Sequence, residues 1–404
     1  MKRPAMYLPV ALTLLTALTV ANAADAQAAG WRTDGTGAYP NTKAPSEWST
    51  DQNVVWRCAL PSWSNATPVV LDDRVICCSE PATVIAVDKA NGKILWQTPV
   101  TYKDAGVDDP PKRPRTHSDN GYTSYTPVVH GDRVFVLFGT GLLAALDVKD
   151  GEILWARLMK MPGHGWGHSA SPTWADGKLI VQTDQVYALN PENGQTVWST
   201  PAKWRWGTPV PTTVGQTPII ITAHGDVIRA ADGHVLARGI GTLAYASPVI
   251  DGNRVYFIER KAVAVELPDS ADEPFKVTPL WSSRIKGSRH YASPVIHDGL
   301  IYAASREEIV NVLDAATGEV VYQERHRLGG RNVNSVYPSV TLVGDRILVS
   351  SQSGQTTVFK PGRTPELLHM NKLEGFRASP VVDGDRLYIR TFKALYCLGD
   401  AAGR

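Results

Sequence analysis

The chain has 404 residues, with 41 Lys and Arg against 39 Asp and Glu, and a formal charge of +2. Its surplus consists of Lys2 and Arg3, so the remainder is balanced and offers no basic field for nucleic acid. A 43% hydrophobic content excludes disorder for most of the length, and four Cys exclude a disulfide scaffold.

Residues 1–23 contain no acid and are predicted to be a signal peptide. A cationic start precedes an apolar run from Tyr7 to Val20, and Ala21-Asn22-Ala23 is a small-residue cleavage site. That run is shorter than the roughly 20 residues a bilayer span needs, and no Cys follows the site to carry a lipid. The expectation is a periplasmic or secreted, monomeric protein that does not span the membrane. Residues 24–51 are expected to be extended, residues 52–398 to form the folded domain and residues 399–404 a tail.

One phrase recurs along the folded region: a small residue, Ser or Thr, Pro, an apolar strand, a polar turn and a second strand. It appears at Ala66-Thr67-Pro68, Tyr125-Thr126-Pro127, Ala170-Ser171-Pro172 and Gly207-Thr208-Pro209. It returns at Ala246-Ser247-Pro248, Ala292-Ser293-Pro294 and Ala378-Ser379-Pro380, with Tyr337-Pro338-Ser339 as a variant. A second phrase follows most copies, as in Ala86-x-Asp88-x-x-Asn91-Gly92 before Trp96 and Ala145-x-Asp147-x-x-Asp150-Gly151 before Trp155. Its Gly turn suits a hairpin, and its aromatic suits packing between neighbouring units. Eight copies of four short strands predict an all-β, eight-bladed β-propeller of four-stranded antiparallel blades. The last copy stops at Leu395-Tyr396-Cys397-Leu398, its third strand. Asn53-Val54-Val55-Trp56-Arg57 reads as the missing fourth, so an N-terminal strand is expected to complete the last blade.

The Ala-x-Asp-x-x-Thr-Gly-x-x-x-Trp phrase resembles the repeat of the pyrroloquinoline-quinone (PQQ) propellers, over roughly residues 52–398. That family includes quinoprotein dehydrogenases and cofactor-free scaffold propellers (BamB-like). The resemblance implies either a binding scaffold without a cofactor or an oxidoreductase using PQQ and calcium on an alcohol or sugar. Quinoprotein alcohol dehydrogenases carry a disulfide between adjacent cysteines, and this chain has Cys77-Cys78, in what reads as an ordinary buried strand. The family's calcium-ligating Glu, Asn and Asp, its catalytic Asp and its stacking Trp have no matching local motif here. Cys58 and Cys397 are expected to be offset by about three residues, roughly 10 Å along the strands, too far for a bond.

In this topology the residues before each inner-strand Pro ring one mouth of the central channel. They include Trp166, His168, Arg205, Trp206, Tyr245, Arg289, His290, Tyr291, Arg331, Asn332 and Arg377. A Pro- and charge-rich insertion at 103–120 is expected to rise over the same rim, with His117 and Asn120 as its least generic residues. Guanidinium groups beside flat aromatic faces suit anionic or polar ring-shaped ligands. The competing expectation is that these side chains merely fill the channel, paired with acids such as Glu259 and Glu307. No H-E-x-x-H, C-x-x-C, G-x-S-x-G or phosphate-loop motif occurs, so no metal site is expected from motif. The function expected is non-catalytic binding or scaffolding of a protein partner through this mouth. The alternatives are the quinoprotein oxidoreductase and a glycan-binding module, and the partner expected is a protein, a polar or anionic small molecule, or a glycan.

Overall fold

Short alternating strands separated by glycine turns cannot bury a face alone, so each hairpin pair must stack on the next. The computed structural model describes residues 28–109, 111–326, 328 and 336–400, and among them no helix forms. The signal-peptide expectation for residues 1–23 lies outside the described residues, as does the tail beyond Asp400. The strands make eight antiparallel four-stranded blades arranged as an eight-bladed propeller, with a fifth, parallel strand added to the inner edge of blade 7. The innermost strands, in blade order, are Val69–Val70, Val128–His130, Thr173–Ala175, Val210–Val214, Val249–Asp251, Val295–His297, Thr341–Val343 and Val381–Asp383.

The core is divided in the same way. Eight apolar clusters each join two adjacent blades; Ile76, Val84 and Ala86 of blade 1, for example, meet Val134, Val136 and Leu146 of blade 2. At five of the eight interfaces an outer-strand Trp (Trp56, Trp96, Trp155, Trp198 or Trp281) docks on the glycine turn of the next blade. The Trp96 indole donates to the Val148 carbonyl at 3.0 Å, and Trp155 to that of Pro191 at 2.8 Å. Gly151 has φ +77°, and a Cβ there would lie 2.5 Å from the Trp96 ring, so both its conformation and its lack of a side chain are used. The Asp of the repeated phrase holds the same turn, as where Asp88 accepts the Ala90 N–H at 2.8 Å. The repeated phrase is therefore a device for joining blades.

Closure follows the expected route. Val54–Ala59 is the outer strand of blade 8, antiparallel to Ala394–Leu398. A bulge between Val54 and Trp56 sets Trp56 opposite Cys397 and Cys58 opposite Leu395. The two cysteines are thus offset by two residues rather than the expected three, because the bulge absorbs one residue. All four cysteines are unbridged. Cys77 faces the interface of blades 8 and 1 while Cys78 faces that of blades 1 and 2. Adjacent strand residues point to opposite faces, and burial pushes the Cys77 thiol up to about 12 and raises that of Cys78 as well.

The segment before this strand does more than extend. Ala29 pairs with Val129 of blade 2, and Ala38–Tyr39 pairs in parallel with Leu342 and Val343 of blade 7. Between them the fully buried Arg32 guanidinium donates to the carbonyls of Pro294 and Val340, at 2.9 and 2.7 Å. The chain thus crosses the lower end of the channel before running outward to blade 8, where Thr42 meets the turn at Gly384. Trp31 lines a cavity on each side of this crossing, so it divides the channel into an upper cup and a lower recess of about 420 Å³.

Candidate functional site: a two-tiered cup at the channel mouth

The upper cavity has a volume of about 440 Å³ and is built from the residues that precede each inner strand. Backbone extended like a strand turns alternate residues the same way. The residue directly before each Pro, and the residue two positions earlier, both face the axis.

The lower tier is the repeated Ser or Thr. Thr67 donates its N–H to the Thr126 hydroxyl at 3.2 Å, and Thr126 to that of Ser171 at 2.9 Å. The sequence continues through Thr208, Ser247, Ser293, Ser339 and Ser379, at 3.1, 2.8, 3.0, 3.3 and 3.0 Å. Ser379 closes the circle on Thr67 at 3.1 Å. Every blade contributes one hydroxyl that accepts the preceding blade's N–H, and all eight line the cup. Pro follows in seven of them because that position has no ladder partner and needs no N–H. In blade 7 the ring residue is Ser339, followed by Val340, so the phrase read at Tyr337-Pro338-Ser339 is two residues out of register.

The upper tier is Asn65, Ser124, Ser169, Trp206, Tyr245, Tyr291, Tyr337 and Arg377, in blade order, all lining the cup. Blades 4 to 7 make an aromatic crescent. Trp206 and Tyr245 stack at 5.5 Å, Tyr245 and Tyr291 meet edge-on at 4.9 Å, and Tyr291 and Tyr337 stack at 4.7 Å. Arg377 ends the crescent with its guanidinium 4.7 Å from the Tyr337 ring centre.

The opposite, small-residue half is filled by the end of the 103–120 insertion. Asn65 donates to the carbonyls of Asp119 and Asn120 at 2.9 and 3.1 Å, and Arg377 forms an ion pair with Asp119 at 2.9 Å. Asn120 donates to the His168 carbonyl at 3.1 Å, which ties the insertion to blade 3. His117 does not line the cup; it stacks on Trp166 at 3.9 Å. Trp166 and His164 line the cup from the connection between blades 2 and 3.

Of the residues singled out in the sequence, Trp166, Trp206, Tyr245, Arg289, Tyr291, Arg377 and Asn120 are brought together in the cup. His168, Arg205 and His290 are not, because they occupy the fourth position before the Pro, which turns away from the axis. His168 and His290 are buried, and burial holds both imidazoles down at about 4. Arg205 bonds the Trp204 carbonyl at 3.1 Å instead of reaching the cup. Arg331 and Asn332 lie outside the described residues. The acids expected to pair with rim cations act on backbone instead: Glu259 accepts the N–H groups of Ala244, Tyr245 and Ala246 at 2.9, 2.7 and 3.1 Å. Glu307 likewise accepts the Ser288 N–H at 3.0 Å. Sequence reasoning did not select Tyr337, Asp119, His164, Trp31 or the hydroxyl ring as site residues. The period-2 alternation before each Pro was the signal that finds the two tiers.

The donor set does not fit a calcium-bound quinone. Asp119 is the single carboxylate in the lining and is already paired with Arg377. Among the described residues no three His, Cys, Asp or Glu side chains gather as a metal site. Cys77 and Cys78 lie in two separate blade interfaces rather than over the cup.

The family model described as outer membrane protein assembly factor BamB matches residues 46–162, 121–324 and 186–404. BamB of Yersinia pestis is 24% identical over 296 residues, covering 70% of this chain and 67% of its own length. Quinoprotein alcohol dehydrogenase PedH of Pseudomonas putida is 30% identical over 146 residues, only 34% of this chain and 22% of that enzyme. Among solved structures, BamB from Moraxella catarrhalis superposes with a TM-score of 0.63 at 15% identity, covering 85% of this chain and 99% of that one. A europium-containing methanol dehydrogenase gives 0.62 at 11% identity, covering 89% of each. At such identities the two solved structures speak for the fold alone.

Proposed function

Because this chain belongs to the family of the outer membrane protein assembly factor BamB, we propose that it is a non-catalytic scaffold of the cell envelope. On this reading residues 1–23 direct its export to the periplasm, and the channel-mouth face holds a protein partner. The observation that carries the reading is Trp166. It is 51% exposed, and it is the one aromatic among the large apolar residues that the described surface leaves open. It stands on the rim, with one face against His117, and lines the cup. Trp is the residue type most enriched among those that dominate the energy of protein interfaces. The other exposed apolar side chains sit on outer strands and do not line the cup, with Leu367, Leu368 and Met370 together on that of blade 7.

The relatives named as assembly factors suggest where the partner lies: among proteins that build the outer membrane. Deleting the gene in its host is expected to lower the content of outer-membrane β-barrel proteins, measured by quantitative proteomics of isolated outer membranes. Trp166→Ala, expressed at the normal level, is expected to restore them only in part. An unchanged outer-membrane profile in the deletion strain would refute the assembly role.

A further inference from the structure

The eight ring hydroxyls each accept one N–H, and among the described residues none of them donates to a protein acceptor. A buried hydroxyl has one proton to give and a further lone pair to receive. The base of the cup is thus a circle of eight groups that can both donate and accept. Its wall on one side is the aromatic crescent from Trp206 to Tyr337. Its lip carries Arg289, whose guanidinium bonds the Tyr291 hydroxyl at 3.2 Å and, among the described residues, meets no carboxylate. Asp119 is neutralised by Arg377, so the lining carries one net positive charge from Arg289.

Each part of this lining selects. A purely apolar ligand would strand the hydroxyl protons on a dry surface. A bare small anion would use Arg289 and leave the crescent idle. A polyhydroxylated ring meets the hydroxyl circle with matching donors and acceptors, and its C–H groups pack against the aromatic crescent that lines the cup. A carboxylate on that ring meets a guanidinium geometry made for it. A volume of about 440 Å³, closed below by Trp31, suits one or two such rings. We infer that the cup binds an acidic sugar unit of the uronate class, either free or at the end of an acidic glycan chain. Trp166 lines the same cup, but sugar binding does not rest on partner docking there: its contacts are the hydroxyl ring, the aromatic crescent and Arg289.

The test is a calorimetric titration of the purified protein with D-glucuronate, a disaccharide with a terminal glucuronate, D-glucose and acetate. Glucuronate is expected to saturate, with glucose and acetate each at least about tenfold weaker, a difference of about 1.4 kcal/mol. Equal affinity for the monosaccharide and the disaccharide indicates capture of a single terminal unit. Tighter binding of the disaccharide indicates a glycan end. Arg289→Gln, a change on an exposed lip, is expected to weaken glucuronate at least about tenfold while leaving glucose unchanged. The inference is overturned if neither uronate saturates at tens of millimolar, if glucose binds as well as glucuronate, or if Arg289→Gln binds glucuronate like the wild type.

Discussion

Trp56→Ala is expected to lower the free energy of unfolding by about 3–5 kcal/mol, the usual cost of truncating a buried indole. Trp56 is 8% exposed, donates to the Lys89 carbonyl at 2.9 Å and packs 6.0 Å from Tyr388. It performs for blade 8 what Trp96 and Trp155 perform for blades 1 and 2, but at the one blade assembled from both ends of the domain. At every other interface the chain itself keeps the outer strand near its blade. At blade 8 only noncovalent contacts do, so the loss weakens the closure of the circle as well as one cluster. The expected fall in Tm is on the order of 10 °C. Gly92→Ala should act in the same direction from the facing side, since Gly92 has φ +74° and a Cβ there would sit 2.7 Å from the Trp56 ring. A calorimetric scan that left Tm unchanged in both variants would show that closure does not depend on this contact.

The second large effect is on pH dependence. His168 and His290 are buried beneath the rim, with folded pKa values held down at about 4 by burial against an ordinary value of 6.5. For a base whose folded pKa is depressed, the unfolded chain binds the proton first. Stability is therefore complete above pH 6.5 and falls as the pH drops toward 4, by on the order of 3 kcal/mol for each group. The backbone at Arg205 and the charge of Glu307 only partly offset burial for His168 and His290 respectively. Glu80, Glu259 and Glu308 have carboxyl pKa values raised by burial, and they contribute the opposite slope in the acid range. The His contribution is isolated by comparing the wild type with His168→Gln/His290→Gln in urea unfolding at pH 7, 5.5 and 4.5. The wild type should lose several kcal/mol relative to the variant across that range. Parallel curves would mean that the two imidazoles do not titrate as their burial requires.

The architecture was legible because its joints are written in every copy. Ser or Thr before Pro is the residue that accepts the neighbouring blade's N–H, and Gly before Trp is the turn on which an indole lies. Those constraints are local, so they recur at fixed spacing and survive in a single sequence. The closing strand at Val54–Ala59 was legible because a third strand without a fourth has an open edge. The cup was only half legible. Trp206, Tyr245, Tyr291 and Arg377 face the axis, whereas His168, Arg205 and His290, each one residue earlier in its own copy, turn away from it, the two histidines into buried positions. A one-residue change flips the facing of extended chain, and the irregular phrase in blade 7 obscured the register there. The crossing of residues 29–44 beneath the channel was not legible. It rests on Arg32 bonding carbonyls 262 and 308 residues away, and no local pattern announces that.

The central claim is that this mouth binds without redox chemistry. The most direct measurement is the addition of PQQ and Ca²⁺ to the purified protein, followed by absorbance of bound quinone and by dye reduction with alcohols and sugars. A cup with one carboxylate, already paired, predicts no saturable quinone uptake and no substrate-dependent dye reduction. Saturable uptake accompanied by turnover would contradict the account and assign the mouth to an oxidoreductase.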